Sequence, residues 1–224
     1  MITKDYNMSY IKLENITFSY SAEEEAVLKD FSLEIEQGKV VCIVGDNGCG
    51  KSTLFRILNG LSYPQKGNYF FKDKIINEKF LNNNKNSKIF HKEIGYLFQN
   101  PDTMLFNGNV YDEIAFGPRQ IGLFENQVKE RVEDCMNLLD IKSLAKKAPY
   151  HLSGGQKKRV AMASVIALNP EVYILDEPLE GLDNKGILWF EGFIRDMKNV
   201  GKTIIISTHK NDRLGGIIDK VVEL

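Results

Sequence analysis

The stretch GDNGCGKST, residues 45–53, combines glycines, a lysine and hydroxyl side chains at the spacing that cradles a triphosphate. Gly45, Gly50, Lys51 and Ser52 stand in the register of the Walker A pattern, and Asp46, Asn47, Gly48, Cys49 and Thr53 complete the loop. Glycines let successive amides turn inward onto phosphate oxygens, and a helix N-terminus adds positive potential. Lys51 can reach the β and γ phosphates of ATP, and the Ser52 hydroxyl suits Mg2+. The apolar KVVCIV before the loop and the helical TLFRILNG after it supply the context that makes the match specific. Cys49 holds a variable loop position beside Lys51 and a helix N-terminus, so its alkylation should block nucleotide binding while ATP protects.

Two acids follow a second apolar run in VYILDEP, where open parallel sheets collect their chemistry. Asp176 suits a Mg2+ shell, and Glu177 is placed to orient or deprotonate an attacking water. A third run, IIISTHK, ends on His209, whose strand-end position favours a γ-phosphate contact; His91 and His151 lack such a setting. A further glycine turn, LSGGQKKRV at residues 152–160, is chemically incomplete. Ser153 can cap a helix beginning at Gly154 and Gly155, whose amides can hold an anion, but no lysine and metal-ligating hydroxyl follow.

These groups need rigid elements behind them. KVVCIVG, EVYILDE and KTIIIST are short and almost continuously apolar, which predicts parallel strands buried on both faces. NKGILWFEGFIRDMKNVG has helical spacing and stops at Gly201, making a strand–helix–strand unit with its neighbours. SYIKLENITFSY and FSLEIEQG alternate polar and apolar residues, as antiparallel strands with one wet face do. FENQVKERVEDCMNLLDIKSLAKK reads as an amphipathic helix with Val128, Val132, Cys135, Leu138 and Leu139 inward, joined by Met136 and Leu144. The Asn-rich FLNNNKNSK reads as a loop tip.

The chain has 224 residues, enough for one sizeable core with a subdomain. Its formal net charge of −1 provides no basic field for nucleic acid, so no nucleic-acid partner is expected. The start lacks the apolar core of a secretory signal, and no apolar run approaches the roughly 20 residues that span a bilayer. Three scattered cysteines without metal spacing favour a reducing compartment. Work at a membrane would therefore require another chain.

Taken in order, the phosphate loop, Gln99 in YLFQNPD, LSGGQ, the Asp176–Glu177 pair, GLD and His209 resemble the ATP-binding cassette ATPases over essentially the whole chain. The resemblance implies an α/β fold: a P-loop nucleotide hydrolase with a RecA-like, mostly parallel sheet and an N-terminal antiparallel β layer. It places an inserted α-helical subdomain at about 100–168 within a single domain, 1–224. It implies ATP hydrolysis with Mg2+, using Lys51, Gln99, Glu177 and His209, with Ser52, Gln99 and Asp176 around the metal. Tyr20 would stack on adenine, core packing being its alternative, and Asp183 would cross a dimer seam. Ser153, Gly154, Gly155 and Gln156 would close on the nucleotide of a second ATPase subunit, identical or homologous.

FQNPDTMLF and DEIAFGPRQIGL are most similar to ATPases of energy-coupling-factor importers for cobalt, nickel or vitamins. That implies transmembrane and substrate-binding membrane subunits as partners, with the ATPase on the cytoplasmic face; residues 100–118 would touch the membrane partner, a packed loop of the helical lobe being the alternative. Leu179, Glu180 and Lys210 depart from the common pattern, as do Thr103 and Met104. A soluble cassette ATPase of cofactor or cluster assembly, or another transporter class, is the alternative reading.

Overall fold

A computed structural model describes residues 9–21, 23–208 and 214–224. The strands are β1 (Ile11–Phe18), β2 (Leu28–Ile35), β3 (Val40–Val44), β4 (Lys66–Phe71), β5 (Lys74–Ile75), β6 (Ile94–Leu97), β7 (Val172–Asp176), β8 (Thr203–Ser207) and β9 (Lys220–Glu223). The helices are α1 (Lys51–Leu58), α2 (Glu78–Leu81), α3 (Asn84–Glu93), α4 (Val110–Gln120), α5 (Glu125–Leu138), α6 (Gly154–Ala167) and α7 (Asn184–Asn199).

β1, β2, β4 and β5 form an antiparallel sheet in the order β2-β1-β4-β5. The alternation in β1 has the expected consequence: Ile11, Leu13, Ile16 and Phe18 are buried while Lys12 and Glu14 meet water and pair with each other. The second sheet runs β6-β7-β8-β3-β9 with every pair parallel. Its central strands β3, β7 and β8 are buried almost throughout, with apolar interiors, because both faces are covered. Val41, Ile43, Val172, Ile174 and Ile205 point to a core shared with α1, α3 and the antiparallel sheet. Val40, Cys42, Tyr173, Leu175, Ile204 and Ile206 point to the opposite core, closed by α4, α5, α6 and α7. A single-residue slip would exchange the two sets, so the double burial also fixes register. The C-terminal ends of β3, β7 and β8 consequently open on the same edge, above the phosphate loop.

Between β6 and β7 the chain is helical, with α4 packed across α6 and α5 against both. The predicted amphipathic helix is shorter than its pattern. α5 ends at Leu138, Asp140 takes φ +54°, and residues 142–144 form a separate turn of 3-10 helix. Val128, Val132, Cys135, Met136, Leu139 and Leu144 are buried as expected, whereas Leu138 is exposed because the helix turns it outward. The Asn-rich loop expectation is corrected more fully, since FLNNNKNSK lies mostly in α2 and α3. Asn77 and Asn83 are N-caps, Asn83 accepting from the amides of Lys85 and Asn86, and Phe90 anchors α3 in the core.

Candidate functional site

The phosphate loop leaves β3 and enters α1 through three glycines with left-handed backbone. Gly45 has φ +151°, and a Cβ there would lie 2.6 Å from Cys49 Sγ and 2.8 Å from the Leu224 carbonyl oxygen. Gly50, at φ +112°, is the N-cap of α1, where a Cβ would press on Val27 and Leu28. Lys51 is nearly buried and folds back over the loop: its Nζ donates to the Gly45 carbonyl at 2.7 Å and the Asp46 carbonyl at 2.9 Å. Its Nζ also lies 3.8 Å from Cys49 Sγ. The ammonium is thus held at the centre of the loop by acceptors that a phosphate can replace.

Tyr20, Asn47, Gly48, Gly50, Lys51, Ser52, Thr53, Gln99, Asp176 and Glu177 surround one cleft. Tyr20 stands at its lip with 58% of its surface exposed, its phenol hydrogen-bonded to Thr53 Oγ1 at 2.9 Å and its ring edge-on to Phe18. That exposure disposes of core packing for Tyr20 and leaves one ring available for stacking. Gly45, Asp46 and Cys49 build the loop without lining the cleft.

Asp176 ends β7 and is almost wholly buried. Ser52 Oγ donates to its Oδ2 at 2.8 Å and Ser207 Oγ to its Oδ1 at 2.6 Å, and the Tyr96 phenol lies close enough to feel its charge. Burial, reinforced by the Asp176 charge, pushes the Tyr96 phenol far above its ordinary range, so it is a proton donor throughout the physiological range. Glu177 follows with φ +44°, a conformation costly for a side chain this long. Its N–H donates to Ser207 Oγ at 2.9 Å. Its carbonyl accepts from Lys158 Nζ at 3.0 Å.

Gln99 has a further partner beyond the cleft, and the other predicted residues among those described lie away from it. Gln99 Nε2 donates to Glu180 Oε2 at 3.1 Å. Ser153 caps α6, accepting from Gln156 N, while Gln156 Oε1 accepts from Ser153 N in a reciprocal capping box. None of Ser153, Gly154, Gly155 and Gln156 lines the phosphate cleft; Gly154 instead borders a second cleft with Gln99, Asp102, Lys157, Glu180 and Gly181. Asp183 caps α7 by accepting from Gly186 N at 2.7 Å. His209, and Lys210 beside it, lie outside the described residues.

Sequence reasoning missed Ser207, Tyr96 and Lys158. Ser207 and Lys158 each carried a signal. Ser207 is a polar residue closing an apolar strand, 0% exposed, and Lys158 falls on the helical face of Ala161, Met162 and Val165. Its neighbour Lys157 is different, reaching outward to Asp102 at 2.6 Å. Among the described residues no group of acidic, cysteine and histidine side chains forms a metal cage, and no helix is long and apolar enough to cross a membrane.

Residues 28–180 match the model of the ABC transporter family. The nickel import ATP-binding protein LarO of Lactiplantibacillus plantarum is 44% identical over 212 residues, spanning 95% of this chain and 87% of that one. The structure of cbiO1 from Clostridium perfringens, described as part of the ABC transporter complex cbiONQ, is similar with a TM-score of 0.79. It is 36% identical, over 96% of this chain and 84% of that one. A dimeric, post-hydrolysis structure of the ATP-binding cassette MJ0796 bound to ADP and Pi gives a TM-score of 0.86 at 27% identity, over 96% and 94% of the two chains.

Proposed function

The chain belongs to the ABC transporter family of ATPases, and from that membership we propose that it powers an importer of the energy-coupling class, for cobalt, nickel or a vitamin. The observation that carries the catalytic part is the convergence of Lys51, Ser52, Gln99, Asp176 and Glu177 on one cleft. In this reading Lys51 exchanges its two loop carbonyls for β and γ phosphate oxygens, and Tyr20 stacks on the adenine. Ser52 Oγ and Asp176 Oδ2, 2.8 Å apart, are hard oxygen donors that fit Mg2+, an ion that takes few protein ligands and dehydrates reluctantly. Held by Ser52 and Asp176, Mg2+ would supply neutralisation of charge developing on the phosphates. Gln99, already at the cleft, turns its amide to the γ-phosphate once Glu180 lets go of Nε2, and His209 is assigned the remaining γ-phosphate contact.

Glu177 is the general base in this reading, a residue of the cleft lining whose backbone is held by Ser207 and Lys158. Glu177→Gln tests the assignment. It should bind ATP with unchanged affinity and hydrolyse it about a hundredfold more slowly. Near-normal turnover would sink the base assignment.

Ser153, Gly154 and Gly155 act on the nucleotide of a second subunit. What supports this is the space around them: a Cβ at Gly154 would meet nothing within 4 Å, and one at Gly155 only the Gly181 carbonyl at 3.6 Å. Packing within the chain therefore does not require glycine there, whereas close approach of another chain's phosphate does. Asp183 lies at the same seam while capping α7. Residues 100–168 form the helical subdomain of a single domain and transmit closure to a transmembrane subunit. Phe106 and Phe116 support this, since both are exposed and pack edge to face at 4.9 Å beside a groove between α3 and α4. Such an aromatic pair suits a short helix of a membrane partner. The ATPase then works at the cytoplasmic face, and a separate membrane subunit chooses the cargo.

A further inference from the structure

We propose that Lys158 is a positioning residue for hydrolysis, a buried cation that holds the Gln99 and Glu177 main chains in their working places. The inference rests on the reading of Gln99 and Glu177 given above. Lys158 is only 3% exposed, and its Nζ donates to the Gln99 carbonyl at 3.2 Å and the Glu177 carbonyl at 3.0 Å. Those carbonyls lie just beyond the ends of β6 and β7, so one side chain of α6 bridges both edges of the cleft.

The Glu177 peptide needs such a hold. At φ +44° its backbone sits in the left-handed region, where a residue with a Cβ is strained. The strain persists because both sides of the residue are fixed, the N–H by Ser207 Oγ and the carbonyl by Lys158 Nζ. Release of the carbonyl would let Glu177 relax to negative φ and swing its carboxylate. A charge makes this hold stronger than a neutral donor would, because ionic hydrogen bonds are roughly twice as strong. Burial pushes the Lys158 ammonium below its ordinary pKa, and the carboxylates of Glu180, Asp176 and Glu177 oppose that shift. The fold therefore bears a desolvation cost to keep a cation at this position.

The placement also has a direction. Lys158 lies on the first turns of the helix that Ser153 caps, so movement of the glycine turn is transmitted directly to Gln99 and Glu177. One rigid helix thus joins the surface offered to the second subunit with the base of its own site.

The test uses the full chain and three variants, Lys158→Met, Lys158→Gln and, in parallel, Glu177→Gln. Lys158→Met keeps the length and apolar stem but has no donor. It should lower kcat about tenfold or more while leaving KM and ATP affinity within about twofold. Lys158→Gln, which retains an N–H donor, should recover a substantial part of that loss. An unchanged kcat in Lys158→Met overturns the proposal. So do parallel losses of kcat, ATP affinity and thermal stability that Lys158→Gln does not relieve, since a packing role predicts that pattern. If Glu177→Gln itself turns over normally, the site reading fails and this inference falls with it.

Discussion

Gln99 and Glu180 are joined across the mouth of the site, Gln99 Nε2 donating to Glu180 Oε2 at 3.1 Å. Glu180 is a departure from the common pattern, and its carboxylate occupies the amide that the reading assigns to Mg2+ and the γ-phosphate. The bond holds Nε2 and leaves Oε1 available, so it restrains the orientation of the side chain, and a turn of Gln99 toward the γ-phosphate has to break it. The pair is exposed, so the bond contributes about 0.5–1.5 kcal/mol. Glu180→Ala should therefore raise the ATPase rate at subsaturating ATP by roughly threefold. Gln99→Ala should slow it, and the double variant should be as slow as Gln99→Ala alone. Steady-state kinetics decide the matter: a Glu180→Ala rate as low as that of Gln99→Ala would mean that Glu180 supports Gln99 rather than restraining it.

Cys49 should be the selectively alkylated thiol. It is partly exposed in the phosphate loop, whereas Cys42 and Cys135 are buried and their thiols are pushed up to about 11 by desolvation. Raised thiol pKa values leave Cys42 and Cys135 protonated and unreactive at neutral pH, with thiolate appearing only near pH 11. At pH 7.5 ~1 equivalent of maleimide should react, ATP should slow the reaction, and the adduct should abolish nucleotide binding. Peptide mapping identifies the site, and Cys49→Ser should bind ATP normally while resisting the reagent. A fully modified Cys49 that still supports hydrolysis would refute the prediction.

Phe106 is the sharper test of coupling than Met104. Met104 packs against the core, and its Sδ accepts from the Phe98 amide, so replacing it disturbs the chain itself. Phe106 is 68% exposed, and its ring packs edge to face with that of Phe116. Phe106→Glu should change folding stability by less than about 0.5 kcal/mol and leave ATPase activity within about twofold. Uptake by the reconstituted transporter should be lost. Joint loss of ATPase activity and thermal stability would indicate misfolding instead of uncoupling.

How far the sequence revealed this architecture follows from the kind of signal each residue carries. Runs such as VYILD announce burial on both faces, and the phosphate loop is local in sequence, so both were legible. β6 was missed because IGYL is short and Gly95 interrupts it, yet it places Tyr96 near Asp176. β9 was missed because most of its side chains are exposed at the sheet edge. α3 escaped because asparagine is a poor helix former in the interior but a good cap, and Asn83 with buried Phe90 decides the outcome. The Lys158 bridge joins residues 59 and 19 positions apart, a relation no local pattern contains. Local motifs named the reacting groups, and tertiary contacts supplied what holds them.

The glycine turn at Ser153 offers the most direct test of a site shared between two chains. Ser153 is exposed, its hydroxyl already caps α6, and it stands outside the cleft formed by its own phosphate loop. Ser153→Arg places a long cation where the reading brings another subunit's γ-phosphate. Loss of the cap should cost about 1 kcal/mol, too little to unfold the chain. ATP affinity of the isolated subunit should be unchanged, because Lys51, Ser52 and Tyr20 are untouched. ATP-driven dimerisation, followed by light scattering in the Glu177→Gln background so that ATP persists, should disappear. Ser153→Ala separates the two effects, losing the cap while keeping the space open, and should still dimerise. Normal ATP-dependent dimers of Ser153→Arg would show that the turn does not face a second subunit's nucleotide.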